Sequence, residues 1–384
     1  MWGNLWLSEK GGINMAKRKK KLKPPFYILV GLILFFILIP ILNKPIEKIE
    51  VGNLEKSIFI DISDKKVSLT AIGDIMCHNT QYMDAYSNGK YDFSYVFKDI
   101  KKYIEKADIA IGNLETTFAG SERGYSSYPT FNTPEALALD LKELGIDVLS
   151  TANNHSLDKG YNGLVKTIEQ LDKEGIKHTG TYNSKESSEE ILYFEKNEIK
   201  FAFVSYTYGT NGIPVPKGKE YCINLISDEK IVGDLEKAKE QNPDVIVVNM
   251  HWGIEYQTSP NKEQERLANI LFENGVDIIL GSHPHVLQQM EKREIQLEDG
   301  TTKEGFIIYS LGNFISGQVK ENTKESVILN MDIVKNGKTG KISIQDINYV
   351  PIHMAKNNKY KLENVENSKG DYGIFKIFDK NSKY

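Results

Sequence analysis

The sequence predicts an α/β fold, and three features of the chain lead to this prediction. From Val67 onward, short uninterrupted apolar runs rich in Val and Ile recur along the chain. Most of these runs end in a cluster of polar residues, and such runs are typical of strands that are buried on both faces of a sheet. Helical patterns lie between several of the runs. The domain that contains them extends over roughly residues 67–355.

The predicted strands form a series along the chain. They are VSLTAIGD (67–74), ADIAIGNLE (107–115), IDVLSTANNH (146–155), FAFVSYT (201–207), DVIVVNMHWG (244–253), VDIILGSHPH (276–285) and FIIYSLGN (306–313). A later segment, 325–350, predicts a hairpin of two strands that turns near Asn336–Gly340. We expect this hairpin to pack as a late antiparallel pair.

The predicted helices between the strands carry recognisable end signals. The segment 133–145 offers Thr133 as an N-cap and Gly145 beyond its last helical residue. The segments 163–175 and 262–275 also end in glycine, which readily takes the left-handed conformation that closes a helix.

The N-terminal part of the chain predicts a membrane anchor. A basic segment, residues 1–25, precedes an uncharged apolar stretch, FYILVGLILFFILIPIL, at 26–42. A helix of this length roughly crosses the hydrocarbon core, and the basic flank keeps the N-terminus in the cytoplasm and the main domain outside. A cleaved signal peptide is the alternative, although no small-residue cleavage site follows Leu42. We expect residues 43–66 to form a stalk and residues 356–384 a C-terminal tail.

The overall composition argues against one class of partner. The 384 residues carry a net charge of −4, so the charge balance does not favour nucleic acid. The two cysteines, Cys77 and Cys222, are expected to be free thiols, because a single pair outside the membrane is weak support for a disulfide.

Polar residues with metal-binding chemistry gather at the predicted strand ends. Five of the seven histidines lie there, namely His78, His155, His251, His283 and His285. Any one of these histidines alone would be explained more simply as a surface or core residue than as part of a site. Carboxylates and amides accompany them, namely Asp74, Asn113, Glu115, Asn153, Asn154, Asp158, Glu255 and Asn313. Because reactive groups in α/β folds collect where strands end and loops begin, we predict one site at this edge.

The donor types indicate a divalent metal. Asp74 and Glu115 offer hard carboxylate oxygens, and Glu115 could bridge two cations. His283 and His285 are two residues apart and can face the same site with each ring bound to a different ion. Carboxylate, amide and imidazole donors together suit Mn²⁺, Zn²⁺ or Fe²⁺ better than Ca²⁺. Two such ions about 3.5–4 Å apart can clamp a phosphate and lower the pKa of a bridging water.

The same strand ends supply a general acid. His155 would protonate the leaving oxygen of a substrate, with its role fixed by a partner such as Asp158 or Glu115. Around these residues the sequence offers further candidates, namely His78, Asn113, Asn153, Glu255 and Asn313.

The motifs GDIMCH, NLE, ANNHSLDKG, HWGIEY, GSHPH and SLGNF occur in this order over about residues 68–314. They resemble the bacterial capsule synthesis family of CapA type, the poly-γ-glutamate synthesis accessory proteins, which is similar to the calcineurin-like metallophosphoesterases. The resemblance implies a four-layer α-β-β-α sandwich with a metal site at its loop edge. It implies that His155 is the general acid. It also implies metal ligands at Asp74, Asn154, His251, His283 and His285.

Two departures from the phosphoesterase pattern concern the first metal position. The Asp-x-His of that pattern becomes Asp74 with His78 four residues further on. Its Gly-Asp-x-x-Asp becomes Gly112–Asn113–Leu114–Glu115, so the bridging carboxylate would be Glu115. The site would therefore hold either one divalent ion or two.

Together these observations predict an extracellular domain on a single-pass membrane anchor. The resemblance implies a role in the synthesis, export or anchoring of poly-γ-glutamate or a similar anionic surface polymer, and the residues imply metal-dependent hydrolysis of a phosphate ester. Export by a chain with one spanning segment would require membrane-embedded synthesis or export proteins as partners. The alternatives are a metal-dependent module that binds an anionic polymer without chemistry, and a scaffold that has lost its metal.

Overall fold

The structure is a computed structural model that describes residues 62–296, 300–368, 370 and 372–384. The predicted cytoplasmic segment 1–25, the predicted anchor 26–42 and residues 43–61 of the predicted stalk 43–66 lie outside the described residues. The last two residues of the predicted stalk, Lys65 and Lys66, belong to the first strand instead. Among the residues that are described, no helix is both long enough and apolar enough to span a bilayer.

Strands and helices alternate over most of the described chain. The strands are β1 (Lys65–Ile75), β2 (Tyr86–Ser87), β3 (Lys90–Tyr91), β4 (Ile109–Leu114), β5 (Val148–Ser150), β6 (Lys177–Thr179), β7 (Leu192–Lys196), β8 (Ile199–Thr207), β9 (Val245–His251), β10 (Ile278–Ser282), β11 (Leu287–Gln296), β12 (Thr302–Leu311), β13 (Asn313–Ile315), β14 (Glu325–Lys335), β15 (Ile342–Lys356) and β16 (Tyr360–Asn364). The helices are α1 (Asn79–Ala85), α2 (Ser94–Phe97), α3 (Lys101–Ile104), α4 (Ala136–Leu144), α5 (Gly160–Glu174), α6 (Lys185–Ser188), α7 (Asp228–Glu240), α8 (Lys262–Glu273) and α9 (Gly373–Asn381).

Two mixed sheets form the framework of the domain. The first has the order β16-β15-β14-β1-β4-β5-β6, with β13 paired to the end of β1. In it β1, β4, β5 and β6 run parallel, whereas β14, β15 and β16 pair antiparallel. The second has the order β11-β12-β10-β9-β8-β7, with β8, β9, β10 and β12 parallel. The predicted α/β class is therefore confirmed.

Alternating side chains on the central strands of the two sheets fill three apolar layers. Ile109 and Ile111 of β4 share the core between the two sheets with Val245 and Val247 of β9. Ala110 faces the other way, into a second core that the first sheet forms with α2 and α4. The outer face of the second sheet packs on α7 and α8 in a third core. Both faces of the central strands are buried, which explains their uninterrupted apolar sequences.

Helix ends and the hairpin agree with the sequence pattern in most respects. Gly145 and Gly175 adopt left-handed φ values of 107° and 68° directly after α4 and α5. However, α4 begins at Ala136, later than predicted, because the hydroxyl of Thr133 bonds the hydroxyl of Thr116 at 2.7 Å and caps no helix. The hairpin is formed by β14 and β15, which pair antiparallel as predicted.

The segment 356–384, which we named a tail, carries β16 and α9. Ile374 and Phe378 of α9 are buried in the core between the sheets. The backbone amide of Lys383 donates to the carbonyl of Met290 in β11 at 2.8 Å. Part of this segment therefore packs with the domain.

Both cysteines are free, as predicted, and both are buried. Cys77 lies in the core beneath the first sheet, and Cys222 lies in a separate small cluster near α5. Burial raises the pKa of the Cys77 thiol, so this side chain stays in the neutral, unreactive form.

We predict that a methyl group at Gly281 destabilises the fold. A Cβ added there would lie 1.9 Å from the carbonyl oxygen of Tyr309 in the neighbouring strand. Because backbone must move to relieve this overlap, Gly281→Ala should lower the free energy of unfolding by about 2–3 kcal/mol. Urea unfolding followed by circular dichroism measures the change.

Gly233→Ala in α7 is the matched control, since nothing lies within 4 Å of an added Cβ at that position. Alanine is the better helix former, so this variant should be more stable by roughly 0.5–1 kcal/mol. Equal effects of the two substitutions would contradict the close approach at Gly281.

Candidate metal centre

The carboxyl ends of parallel strands from both sheets meet at one edge of the sandwich, and the predicted site residues lie at this edge. Asp74 is near the end of β1, and Glu115 follows β4 directly. His251 is the last residue of β9, while His283 and His285 follow β10. All five side chains are buried. The topology therefore brings the two halves of the predicted donor set together.

Two sets of side chains offer ligand atoms that are close enough to hold a metal ion. In one set, atoms of Glu115, His283 and His285 all lie within 4.8 Å of one another. In the other set, atoms of Asp74, Glu115 and His251 do so. Glu115 belongs to both sets, which is the placement that a bridging carboxylate requires.

Asp74 owes its position to a close approach of two strands. Gly73 makes no turn at the end of a strand, because β1 continues through it to Ile75. Gly73 instead packs against the carbonyl oxygen of Gly312, which would lie 1.9 Å from an added Cβ. The pairing of β1 with β4 shifts between Ala71 and Asp74, and irregularities of this kind commonly re-aim a side chain near a functional site.

The carboxylate of Asp74 connects the two sheets. Its Oδ1 accepts a hydrogen bond from Nδ2 of Asn113 at 2.8 Å, within the first sheet. Its Oδ2 accepts from the backbone amide of His283 at 3.2 Å and lies 3.1 Å from Nδ1 of His285. These contacts fix Asp74 between the elements that carry the other donors.

The carboxylate of Glu115 lies beside the histidines without a hydrogen bond. Its side chain is fully buried, and neither carboxylate oxygen has a hydrogen-bond partner. Oε1 is 3.5 Å from Nε2 of His251 and 3.8 Å from Nε2 of His285. Burial and the neighbouring charge of Asp74 raise the pKa of Glu115 well above its ordinary value. A buried carboxylate without a partner is costly, and a bound cation would remove that cost.

The rings of His251 and His283 are held in the neutral form that binds metals. Burial and the neighbouring His283 lower the pKa of His251 well below its ordinary value. Burial likewise lowers the pKa of His283 to about 3. Nδ1 of His283 is buried without a hydrogen-bond partner, so no other protein group occupies this nitrogen.

The backbone at the GSHPH motif is strained. His283 and His285 have φ values of 96° and 60°, in the left-handed region that side chains other than glycine rarely adopt. Such conformations cost of order 1–3 kcal/mol each and persist only where the surroundings fix them. Here the bonds to Asp74 fix both residues.

Asn154 and His155 occupy the side of the site formed by the loop after β5. Oδ1 of Asn154 lies 2.9 Å from Nε2 of His251. Nδ1 of His155 is 2.8 Å from Oδ2 of Asp158, and this oxygen also accepts from the backbone amide of Phe131 at 2.6 Å. Of the two partners predicted for His155, the structure therefore places Asp158 at the ring.

Three of the further candidates make hydrogen bonds to groups around the site and not to the proposed metal ligands. Nδ1 of His78 accepts from the backbone amide of Gly317 at 3.0 Å, so this nitrogen is already engaged. Nδ2 of Asn153 donates to the carbonyl of Leu114 at 2.7 Å. Nδ2 of Asn313 bonds Gln318 and the Thr323 carbonyl.

The other two candidates lie at the centre and at the rim. Nδ2 of Asn113 contacts Asp74 and lies 3.3 Å from Nδ1 of His251, so it positions two donors. Glu255 is exposed, and its negative charge contributes to the raised pKa of Glu115.

A family model described as bacterial capsule synthesis protein PGA_cap matches residues 68–318, which is more than half of the chain. The chain belongs to this family. It is 29% identical to the capsule biosynthesis protein CapA of Bacillus anthracis over 322 residues, which cover 80% of this chain and 75% of that protein. It is also 29% identical to the PGA biosynthesis protein CapA of Bacillus subtilis over 306 residues, which cover 76% and 73% of the two chains.

Solved structures that resemble this PGA_cap protein are more distant. The calcineurin-like phosphoesterase YfkN from Bacillus subtilis aligns with a TM-score of 0.46 and 16% identity, covering 83% of this chain and 98% of that one. The NAD nucleotidase NadN of Haemophilus influenzae aligns with a TM-score of 0.46 and 15% identity, covering 83% and 64%. Likeness at this level assigns neither the activity nor the site residues of the PGA_cap protein.

An aromatic and an amide side chain that line the candidate metal centre were not identified by the sequence analysis. The ring of Tyr208 lies 4.5 Å from that of His283 and stacks on His251 at 6.2 Å. Asn211 bonds Asn154 through its side chain. Tyr208 directly follows the strand FAFVSYT, and this position after a strand end was the signal that could have identified it.

We predict that replacing Glu115 by a side chain that does not ionise stabilises the metal-free protein. Glu115→Gln should raise the free energy of unfolding near pH 7 by at least about 1 kcal/mol, because the amide is buried without the cost of taking up a proton. In the wild type, the native state holds a proton on Glu115 that the unfolded chain releases above its ordinary pKa of 4.5. Wild-type stability should therefore fall as pH rises above that value, and Glu115→Gln should lack this component.

Urea unfolding in EDTA at several pH values measures both effects, and the histidines contribute equally to both proteins. Glu255→Gln is the control, since that carboxylate is exposed and its loss should change stability little. Added Mn²⁺ should raise the unfolding midpoint of the wild type and leave Glu115→Gln unchanged. A Glu115→Gln variant that is less stable than wild type in EDTA would refute the interpretation.

Proposed function

We propose that this CapA-like capsule synthesis accessory protein is a membrane-anchored extracellular protein with a metal-dependent site of phosphoesterase type. It would act in the synthesis, export or anchoring of poly-γ-glutamate or a similar anionic surface polymer. The family match and the two CapA relatives support the capsule context. One observation carries the metal-dependent site: the Glu115 carboxylate is fully buried and without a hydrogen bond between two sets of donor atoms.

The donor set fits one or two divalent ions. The residues that would hold them are Asp74, Glu115, Asn154, His251, His283 and His285. Nitrogen and oxygen donors in this mixture suit Mn²⁺, Zn²⁺ or Fe²⁺. A bound ion of this kind polarises a phosphoryl oxygen and lowers the pKa of a water.

His155 and Asp158 would act together to transfer a proton to the substrate. Because the Asp158 carboxylate can only accept, it keeps the ring hydrogen on Nδ1 of His155. Nε2 is then the nitrogen that exchanges a proton with the substrate. In the protonated state, His155 would donate from Nε2 to the leaving oxygen of a phosphate ester. Both side chains are buried, so their pairing is little screened by water.

We predict that two histidine variants separate catalysis from metal binding. In the full-length protein with Mn²⁺, His155→Ala should lose about 10²-fold or more of its turnover of bis(p-nitrophenyl) phosphate while its metal content stays intact. His283→Ala should lose both metal and turnover. His178→Ala, at a histidine that bonds Asp172 away from the site, is the control. Metal analysis and p-nitrophenol release are the measurements.

The same proteins decide between the three functional classes. A binding module would hold immobilised poly-γ-glutamate in a metal-dependent way, tolerate His155→Ala and fail with His283→Ala. A scaffold would tolerate both substitutions. A wild-type protein with neither bound metal nor hydrolysis would rule out the enzyme.

We predict that residues 26–42 hold the protein in the membrane. Deleting them should move the chain from the membrane fraction to the soluble fraction, because the apolar stretch is the basis of the anchor. Deleting residues 43–55 instead should leave the chain in the membrane fraction. The intact mass of the membrane-bound protein should equal that of the uncleaved chain, and a mass lacking the first 42 residues would establish a cleaved signal peptide instead.

A further inference from the structure

Asn211 is an exposed loop residue whose side chain reaches two buried parts of the site. Its Oδ1 accepts a hydrogen bond from Nδ2 of Asn154 at 3.1 Å. Its Nδ2 lies 3.4 Å from Nε2 and 3.5 Å from Nδ1 of His155. One amide thus contacts both a proposed metal ligand and the proposed general acid.

The bond to Oδ1 determines which atom Asn154 turns toward the donors. A side-chain amide has an oxygen at one end and an NH₂ group at the other, and only the oxygen can bind a cation. Because the NH₂ group of Asn154 donates to Asn211, its oxygen faces His251 at 2.9 Å. Such outer contacts fix the orientation of metal ligands.

The side-chain nitrogen of Asn211 lies next to the position that a substrate oxygen would take. Nδ1 of His155 is engaged with Asp158, which leaves Nε2 as the exchanging nitrogen. An oxygen that takes a proton from Nε2 must approach to about 2.6–3.2 Å. Nδ2 of Asn211 is close enough to donate a second hydrogen bond to that same oxygen.

The loop holds Asn211 in a conformation that suits this residue type. Asn211 has a φ of 51° and is followed by Gly212 at 76°. Asparagine is among the few residues other than glycine that tolerate this region. The backbone amide of Ile213 donates to the carbonyl of Thr210 at 2.9 Å and closes the turn.

We propose that Asn211 links the two halves of the site: its oxygen orients Asn154 as a metal ligand, and its nitrogen binds the substrate oxygen that His155 protonates. This inference rests on the proposed metal-dependent function. It assigns to the loop after β8 a direct contact with a phosphate-type oxygen, a group that the motifs of the sequence did not locate.

Two substitutions test the oxygen and the nitrogen of the Asn211 amide separately. Asn211→Gly removes both contacts without strain at a positive φ. Asn211→Asp keeps the accepting oxygen and loses the donating nitrogen. Asn242→Gly is the matched control, because Asn242 has nearly the same φ, 49°, and lies in the loop after α7. Calorimetric titration of the full-length protein with Mn²⁺, then with inorganic phosphate at saturating Mn²⁺, measures both functions.

We expect Asn211→Gly to weaken Mn²⁺ binding about 10-fold, the lower end of the effect of outer contacts on metal affinity. Phosphate binding should weaken about 5-fold in both Asn211 variants through the lost hydrogen bond. Asn211→Asp should hold Mn²⁺ within about 3-fold of wild type, since it keeps the oxygen that orients Asn154. Asn242→Gly should match wild type in both titrations.

Each contrary result has a definite meaning. If wild type binds Mn²⁺ and Asn211→Gly binds Mn²⁺ and phosphate equally well, the role of Asn211 is refuted while the metal site stands. If Asn211→Asp loses Mn²⁺ as Asn211→Gly does, the orienting oxygen is refuted. Weaker phosphate binding in Asn211→Asp alone would show charge repulsion and refute the donating nitrogen. A wild type that binds no Mn²⁺ overturns the proposed function itself, and the role of Asn211 with it.

Discussion

The arrangement of the site depends on the hydrogen bonds that the carboxylate of Asp74 accepts. This carboxylate receives a hydrogen bond from Asn113 within its own sheet and another from the backbone of His283 beyond the second sheet. Most of the core between the two sheets is apolar, and apolar contacts have no direction. At this edge, directional bonds fix the distance between the sheets. The donor atoms on each side are thereby held at a spacing that a cation can bridge.

Several features of this edge are unfavourable when considered alone. His283 and His285 adopt strained backbone conformations, Glu115 is buried without a partner, and two glycines accept very close backbone contacts. Three apolar cores beneath the site offset these costs. Natural proteins keep such violations where function requires them, so their concentration at one edge supports the assignment independently of the motifs.

The sequence was sufficient for the strands and for most donors because these depend on local pattern. Buried strands show as apolar runs, and Asp74, Glu115 and His251 follow directly from where the runs stop. What it could not supply depends on contacts between distant segments. Gly73 packs on Gly312, which lies between β12 and β13, and Thr133 bonds Thr116 in the loop after β4. Tyr208 and Asn211 carried no metal-binding signature, and only the fold brings them over the histidines.

The buried carboxylate of Glu115 also links the site to the acidity of its surroundings. Where no cation is present, burial favours the protonated acid, so a proton and a metal ion compete for the same oxygens. If the proposed metal site is correct, each uptake of metal would release a proton, and acidification would displace the ion. Occupancy of the proposed centre would then depend on pH and metal supply together.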